Sequence, residues 1–198
     1  MQYLKKAIKT KIIASAVEEF RLNGFHEASV RIIAQNAGVS LGNVYRYFRD
    51  KEDVFTAVVA PFLAEARGVA ERFRTAEADI EECLESFCKL LLERADEYAV
   101  IKKSATPHYS EFFEAVSGGV AEYTRRRLMK SGADGKVSNP LFAEHIGRAF
   151  VRCVLDDYEP FSERASELKR DVKEFAGFFF GRLDVRFAAG ESDPELDE

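Results

Sequence analysis

The stretch Ser29-Val30-Arg31-Ile32-Ile33-Ala34-Gln35-Asn36-Ala37-Gly38-Val39-Ser40-Leu41-Gly42-Asn43-Val44-Tyr45-Arg46-Tyr47-Phe48 decides how the chain is read. Ser29 caps a short helix whose buried residues are expected to be Ile32, Ile33 and Ala34. Ala37-Gly38-Val39-Ser40 is a tight turn, in which Gly38 supplies a positive φ and Ser40 caps the next helix. That second helix is short, spanning residues 41–48, and faces Val44 and Phe48 inward at i, i+4. Leu41, Gly42, Asn43, Tyr45, Arg46 and Tyr47 then occupy the exposed or flanking arc. A helix-turn-helix of this form inserts its second helix into the major groove of DNA, which is wide enough for one α-helix. Gly42 lets the backbone approach closely, and Asn43 has the donor and acceptor that pair with adenine. The hydroxyls of Tyr45 and Tyr47 suit phosphates, and Ser29 offers its hydroxyl and the free amides of its helix to another.

Outward from this segment, apolar residues recur at helical spacing and no stretch alternates at period two. Ile8, Ile12, Ala16 and Phe20 share one face of a helix over residues 5–22, which Asn23-Gly24 ends. Asp50 caps a longer helix starting at Lys51, whose stripe runs through Val54, Phe55, Val58, Val59, Phe62, Ala66, Val69 and Phe73. Pro61 lies inside that stripe, and the lost hydrogen bond and ring clash predict a kink or break near residues 57–61. Further helices are expected over 80–97, through Phe112, Phe113, Val116 and Val120, and over 141–158 and 163–187, with a loop at 132–140 rich in helix breakers. The fold class is all-α with about nine helices. Three domains of sequence follow: a DNA-binding head over 1–50, a helical body for ligand binding and dimerisation over 51–189, and an acidic tail over 190–198.

Charge supports that division. The 198 residues carry a formal net charge of −5, which alone argues against a polyanionic partner. Residues 1–50, however, hold eight Lys/Arg against four Asp/Glu, a net of +4, so the other 148 carry −9. A basic module joined to an acidic body is implied. No apolar run approaches the roughly 18 residues of a membrane span. The stretch 12–17 is too short for a signal peptide, so a cytoplasmic location without membrane attachment is expected. Cys83, Cys88 and Cys153 form an odd set without CxxC spacing, and His26, His108 and His145 have no ligand-spaced partners, so neither a disulfide framework nor a metal site is expected. No Gly-rich phosphate loop follows a strand, and no nucleophile–base pair can be assembled; the reading is neither enzyme nor cofactor protein.

Residues 8–58 resemble the DNA-binding domain of the TetR family of bacterial transcriptional repressors. The resemblance rests on Ile12-Ile13-Ala14-Ser15-Ala16, Phe20, Asn23-Gly24-Phe25, Ser29-Val30-Arg31-Ile32-Ile33-Ala34, Ala37-Gly38-Val39-Ser40, residues 42–48 and Lys51-Glu52, in family order. It covers about a quarter of the chain strongly, the rest only in size and helical character. It implies that Ser29, Tyr45, Tyr47 and Lys51 hold phosphates, and that Arg31, Leu41, Gly42, Asn43 and Arg46 lie near base edges or groove walls. Lys11 and Ser40 complete the expected DNA-facing set. Leu41 stands where a basic or polar residue is frequent in the family, and Asn43 where Ser or Thr is usual.

The resemblance also implies a homodimer whose last two helices form a four-helix bundle with those of the partner, and an effector that alters the separation of the two heads. Phe142, Ile146, Ala149 and Cys153 fit one such face, and Leu168, Val172, Phe175, Phe179 and Leu183 the other. Two heads would read half-sites of a palindromic operator about 34–36 Å, or a multiple, apart. His108, Tyr109, Phe112 and Phe113, with Phe87, Leu91 and Tyr123, are candidates to line a pocket for an apolar or aromatic small molecule, although aromatic stripes at helical spacing also form plain core. The leading reading is a repressor released from double-stranded DNA by that unknown inducer. The alternative is a helical DNA-organising or protein-interaction module using the same head without an effector.

Overall fold

The computed structural model describes residues 2–75, 80–130 and 139–181. These form helices only: α1 Gln2–Glu27, α2 Val30–Asn36, α3 Leu41–Val44, α4 Lys51–Arg74, α5 Ile80–Glu93, α6 Ala95–Ser104, α7 Pro107–Lys130, α8 Phe142–Asp157 and α9 Leu168–Phe180, with a 3₁₀ segment Glu163–Glu167 before α9. The expected all-α class therefore holds among the described residues. The acidic tail, most of the 132–140 loop and the end of the last predicted helix lie outside them.

Two compact units divide the chain. The first comprises residues up to Ala66 together with Leu90–Phe112, and the second Arg67–Lys89 and the chain from Phe113. The sequence places its division at 50/51, where the charge changes sign. Packing draws the line differently, because the first half of α4 and the whole of α6 bury their apolar residues with α1.

In the first unit, Ile12, Ala16 and Phe20 on α1 are fully buried, as are Val54, Val59 and Phe62 on α4. Rings dominate this core. Phe20 meets Phe55 edge-on at 5.0 Å, and Phe62 lies 4.9 Å from Phe112. Asn23-Gly24 does turn the chain, since Gly24 has a φ of 69°, yet helical hydrogen bonding resumes and carries α1 to Glu27. Gly24 is needed twice over: a Cβ there would also sit 3.3 Å from the Lys103 carbonyl oxygen on α6. Pro61 does not break α4, which runs unbroken from Lys51 to Arg74. Pro61 lies on the exposed side while Val58, Val59, Phe62 and Leu63 around it are buried, so the burial of that stripe outweighs one missing bond.

In the second unit, glycines set the spacing of helices. A Cβ on Gly119 of α7 would lie 2.6 Å from the Ala70 carbonyl oxygen of α4, and one on Gly147 of α8 would lie 2.9 Å from the Ala121 amide and overlap the Ser117 carbonyl. Neither position admits a side chain without moving backbone. Arg126 on α7 donates to the carbonyls of Phe73 (2.6 Å) and Thr75 (2.9 Å), and also to that of Arg74, closing the end of α4 with the positive charge that a helix C-terminus favours. Phe150 and Tyr123 both pack on Phe180, at 5.1 and 5.6 Å.

Gly147→Ala should lower the unfolding free energy by about 1–3 kcal/mol through overpacking. Gly177→Ala should raise it by up to about 1 kcal/mol, because this helical glycine has nothing within 4 Å of an added Cβ. Urea denaturation of the two variants and the parent checks both signs.

Candidate nucleic-acid interface

The turn between α2 and α3 is closed by backbone bonds from Gly38 to the Gln35 carbonyl (3.1 Å) and from Val39 to that of Ala34 (3.0 Å), with Gly38 at a φ of 68°. Ser40 is extended, and its hydroxyl accepts the Asn43 amide at 3.2 Å, the cap expected of it. Helix α3 itself is only one turn, ending at Val44; residues 45–48 continue as turns rather than helix. Val44 is fully buried and Phe48 3% exposed, so the two predicted anchors hold the segment down. On the opposite arc Gly42, Tyr45 and Arg46 are exposed, and Leu41, Asn43 and Tyr47 half-buried. A Cβ on Gly42 would meet nothing within 4 Å, so the backbone there is open to a close-lying surface.

The elements beside it differ from expectation in three particulars. Ile32 is 42% exposed, and the buried residues of α2 are Val30, Ile33 and Ala34. With Ile33 and Ala34 facing inward, the 100° step per residue swings Ile32 to the outer side. Ser29 stands at the N-cap of α2 but makes no capping bond with its side chain. Instead its amide donates to the carboxylate of Glu19 at 2.9 Å, and Glu19 is only 5% exposed. A negative charge from α1 thus serves the start of α2, and Ser29's own amide is not free. Lys51 donates to the carbonyls of His26 (2.9 Å) and Ala28 (3.1 Å), and its ammonium lies 4.9 Å from the Phe25 ring centre. Two of its three donors are therefore spent at the end of α1. Lys11, Arg31 and Ser40 are exposed, and Ser29 is half-buried. Asp50 caps α4 as expected, accepting the Asp53 amide at 2.8 Å, while Asp53 accepts that of Arg49 at 3.0 Å.

The candidate pocket residues are divided between the two units. Leu91 and Phe112 are buried in the first unit, where half-buried His108 and Tyr109 pack on Phe55 (5.4 Å) and Phe112 (6.4 Å). Phe87 and Phe113 are buried in the second unit, and Tyr123 is half-buried there. A cavity of about 380 Å³ does exist in the second unit, between α5, α7 and α9, and none of those seven residues lines it. Sequence reasoning missed its cationic rim because nothing in the pattern of α9 tells which helix it meets.

Of the expected dimer residues, Phe142, Ile146 and Cys153 on α8 and Phe175 and Phe179 on α9 are half-buried, and Ala149 is exposed. Leu168 and Val172 are buried within the unit, and Leu183 lies outside the described residues. Phe178 beside them is 67% exposed. Among the described residues no helix is long and apolar enough to cross a membrane, and no cluster of His, Cys, Asp or Glu is arranged for a metal.

A capped one-turn helix pinned by two apolar anchors, with a polar arc outward, defines a helix-turn-helix head. Residues 12–58 match the family described as bacterial regulatory proteins, tetR family. The match covers that segment, which is thus similar to the DNA-binding part of bacterial transcriptional regulators. It is 44% identical over 48 residues to a fatty acid metabolism regulator protein of Bacillus subtilis (strain 168), covering 24% of this chain and 25% of that protein. The chain thus matches about a quarter of that relative's length. It is 25% identical over 146 residues to the HTH-type transcriptional regulator UidR of Escherichia coli (strain K12), covering 70% and 73% of the two chains. The fold matches a TerR/AcrR-family transcriptional regulator from Aquifex aeolicus VF5 with a TM-score of 0.67 at 20% identity, over 87% of this chain and 99% of that one.

Ser40→Ala should cost about 1 kcal/mol of stability through the lost cap. Glu19→Ala should cost about 1–3 kcal/mol, because it strands the Ser29 amide in a nearly dry site. Chemical denaturation followed by helical circular dichroism measures both losses.

Proposed function

We propose that the chain is a homodimeric, ligand-responsive repressor that holds a palindromic operator and leaves it when a small molecule binds the body. The observation that carries this reading is the outer arc of α3, where exposed Gly42, Tyr45 and Arg46 flank Asn43 above buried Val44 and Phe48. Asn43 is the residue suited to read adenine, Arg31 lies near base edges or groove walls, and Tyr45, Tyr47 and Lys11 supply phosphate contacts. Ser29 keeps its hydroxyl for that role, and Lys51 keeps one donor. A second copy is supported by the apolar side chains of α8 and α9 that are only half-buried, Ile146, Cys153, Phe175 and Phe179 among them. Effector response is supported by the cavity in the second unit, at about 380 Å³ within the range of small-molecule sites. The mechanism is a population shift: an effector that prefers the DNA-free state draws the dimer away from its operator.

Footprinting of the DNA upstream of the chain's own gene tests the reading. A protected palindrome that is lost on adding effector is expected, and absence of any protected palindrome contradicts it. Asn43→Ala should weaken operator binding by about 1–3 kcal/mol and relax preference at one base pair per half-site. Lys11→Gln should weaken all duplexes alike and lower the slope of log K against log salt by about 1 per head. Fluorescence anisotropy over a salt series separates the two.

A further inference from the structure

The cavity between α5, α7 and α9 has a composition that selects its ligand. Its floor is Ile80, Leu84 and Cys88 from α5 with Ala176 and Phe180 from α9, all buried except the half-buried Ile80. Burial pushes the Cys88 thiol up to about 11, so the floor carries no charge at neutral pH. The rim is charged: Arg127 of α7 and Lys169 and Lys173 of α9 face Glu81 and Glu85 of α5. Lys173 and Glu81 neutralise one another at 3.2 Å. Among the described residues half-buried Arg127 donates only to the Tyr123 hydroxyl, at 3.2 Å, and Lys169 makes no ion pair. Two cations thus stand over an apolar floor against one uncompensated acid, Glu85.

We propose that this cavity binds a small amphipathic organic anion, with its apolar body on the α5–α9 floor and its carboxylate or phosphate head on Arg127 and Lys169. The proposal deepens the effector-responsive reading and rests on it only for its regulatory meaning. A neutral apolar ligand would gain the floor but leave a half-buried guanidinium without a counter-charge. An anion gains both, because guanidinium pairs with carboxylate or phosphate through two parallel hydrogen bonds, and such charge-assisted bonds are the strong ones. A cationic ligand would meet Arg127 and Lys169 as repulsion with only Glu85 in its favour.

Calorimetric titration of the full chain with octanoate, octyl phosphate, octanol and octylammonium tests the proposal. Either or both anions should bind at least about tenfold tighter than octanol, a difference of about 1.4 kcal/mol, and the ammonium should bind weakest. Octanoate against octyl phosphate tells which head the site prefers. In Arg127→Gln/Lys169→Gln the advantage over octanol should fall to within about threefold, while Glu85→Gln should strengthen anion binding. Thermal unfolding of each variant establishes that it is folded. Equal binding of octanol and both anions, no binding of any probe, or selectivity untouched by the double variant would each overturn the proposal. Operator affinity measured with the bound anion separates the two claims: anion binding that leaves DNA affinity unchanged upholds the cavity assignment and contradicts the regulatory reading.

Discussion

The burial of Val44 and Phe48 is the constraint on which the reading surface depends. Helix α3 is four residues long, far below the length at which a helix holds itself together in water. Its position is therefore a tertiary property. Two side chains driven out of water pin it, a serine hydroxyl starts it, and Gly38 sets the angle at which it leaves α2. The polar arc gains its geometry from what lies beneath it. A substitution at Val44 would loosen Asn43, Tyr45 and Arg46 without touching any of them.

The same dependence extends back into α1. Glu19 sits on the buried side of that helix, between Ala16 and Phe20, where a carboxylate has no business unless it is hydrogen-bonded. It is bonded to the amide that begins α2, so the helix that presents Arg31 is held by a charge from α1 as well as by Ile33 and Ala34. Lys51 works in the opposite sense, joining the start of α4 to the carbonyls that close α1. The second unit uses glycine where the first uses charge: Gly119 and Gly147 let helix backbones approach, and Arg126 closes α4.

Much of this was legible in the residues, and the illegible parts share a cause. The helices, the Gly38 turn and the anchors Val44 and Phe48 follow from periodicity and local chemistry, which act within one or two turns. Asp50 and Ser40 are likewise local caps. What failed depended on partners distant in sequence. Ile32 reads as core because its type is apolar, but the stripe that matters is Val30, Ile33 and Ala34. Pro61 predicts a kink or break, and of these the break does not occur: the buried stripe on either side carries the helix past it. The pocket candidates from Phe87 to Tyr123 fall partly in each unit. The cavity instead draws its rim from Arg127, Lys169 and Lys173, whose spacing alone is that of ordinary solvated faces.

Charge also changes meaning once it is located. A net of −5 on the chain hides the excess of basic residues on its first fifty, and the lysines and arginines of that segment lie largely in water. Arg127 and Lys169 in the second unit stand over an apolar floor. In the proposed function, paired copies of this head read sequence through α3. Selection of duplexes from a random pool by the purified full chain checks this. Enrichment of an inverted repeat is expected, with its half-site preference lost in Asn43→Ala. Recovery of no common sequence, or of a motif indifferent to Asn43, would contradict it.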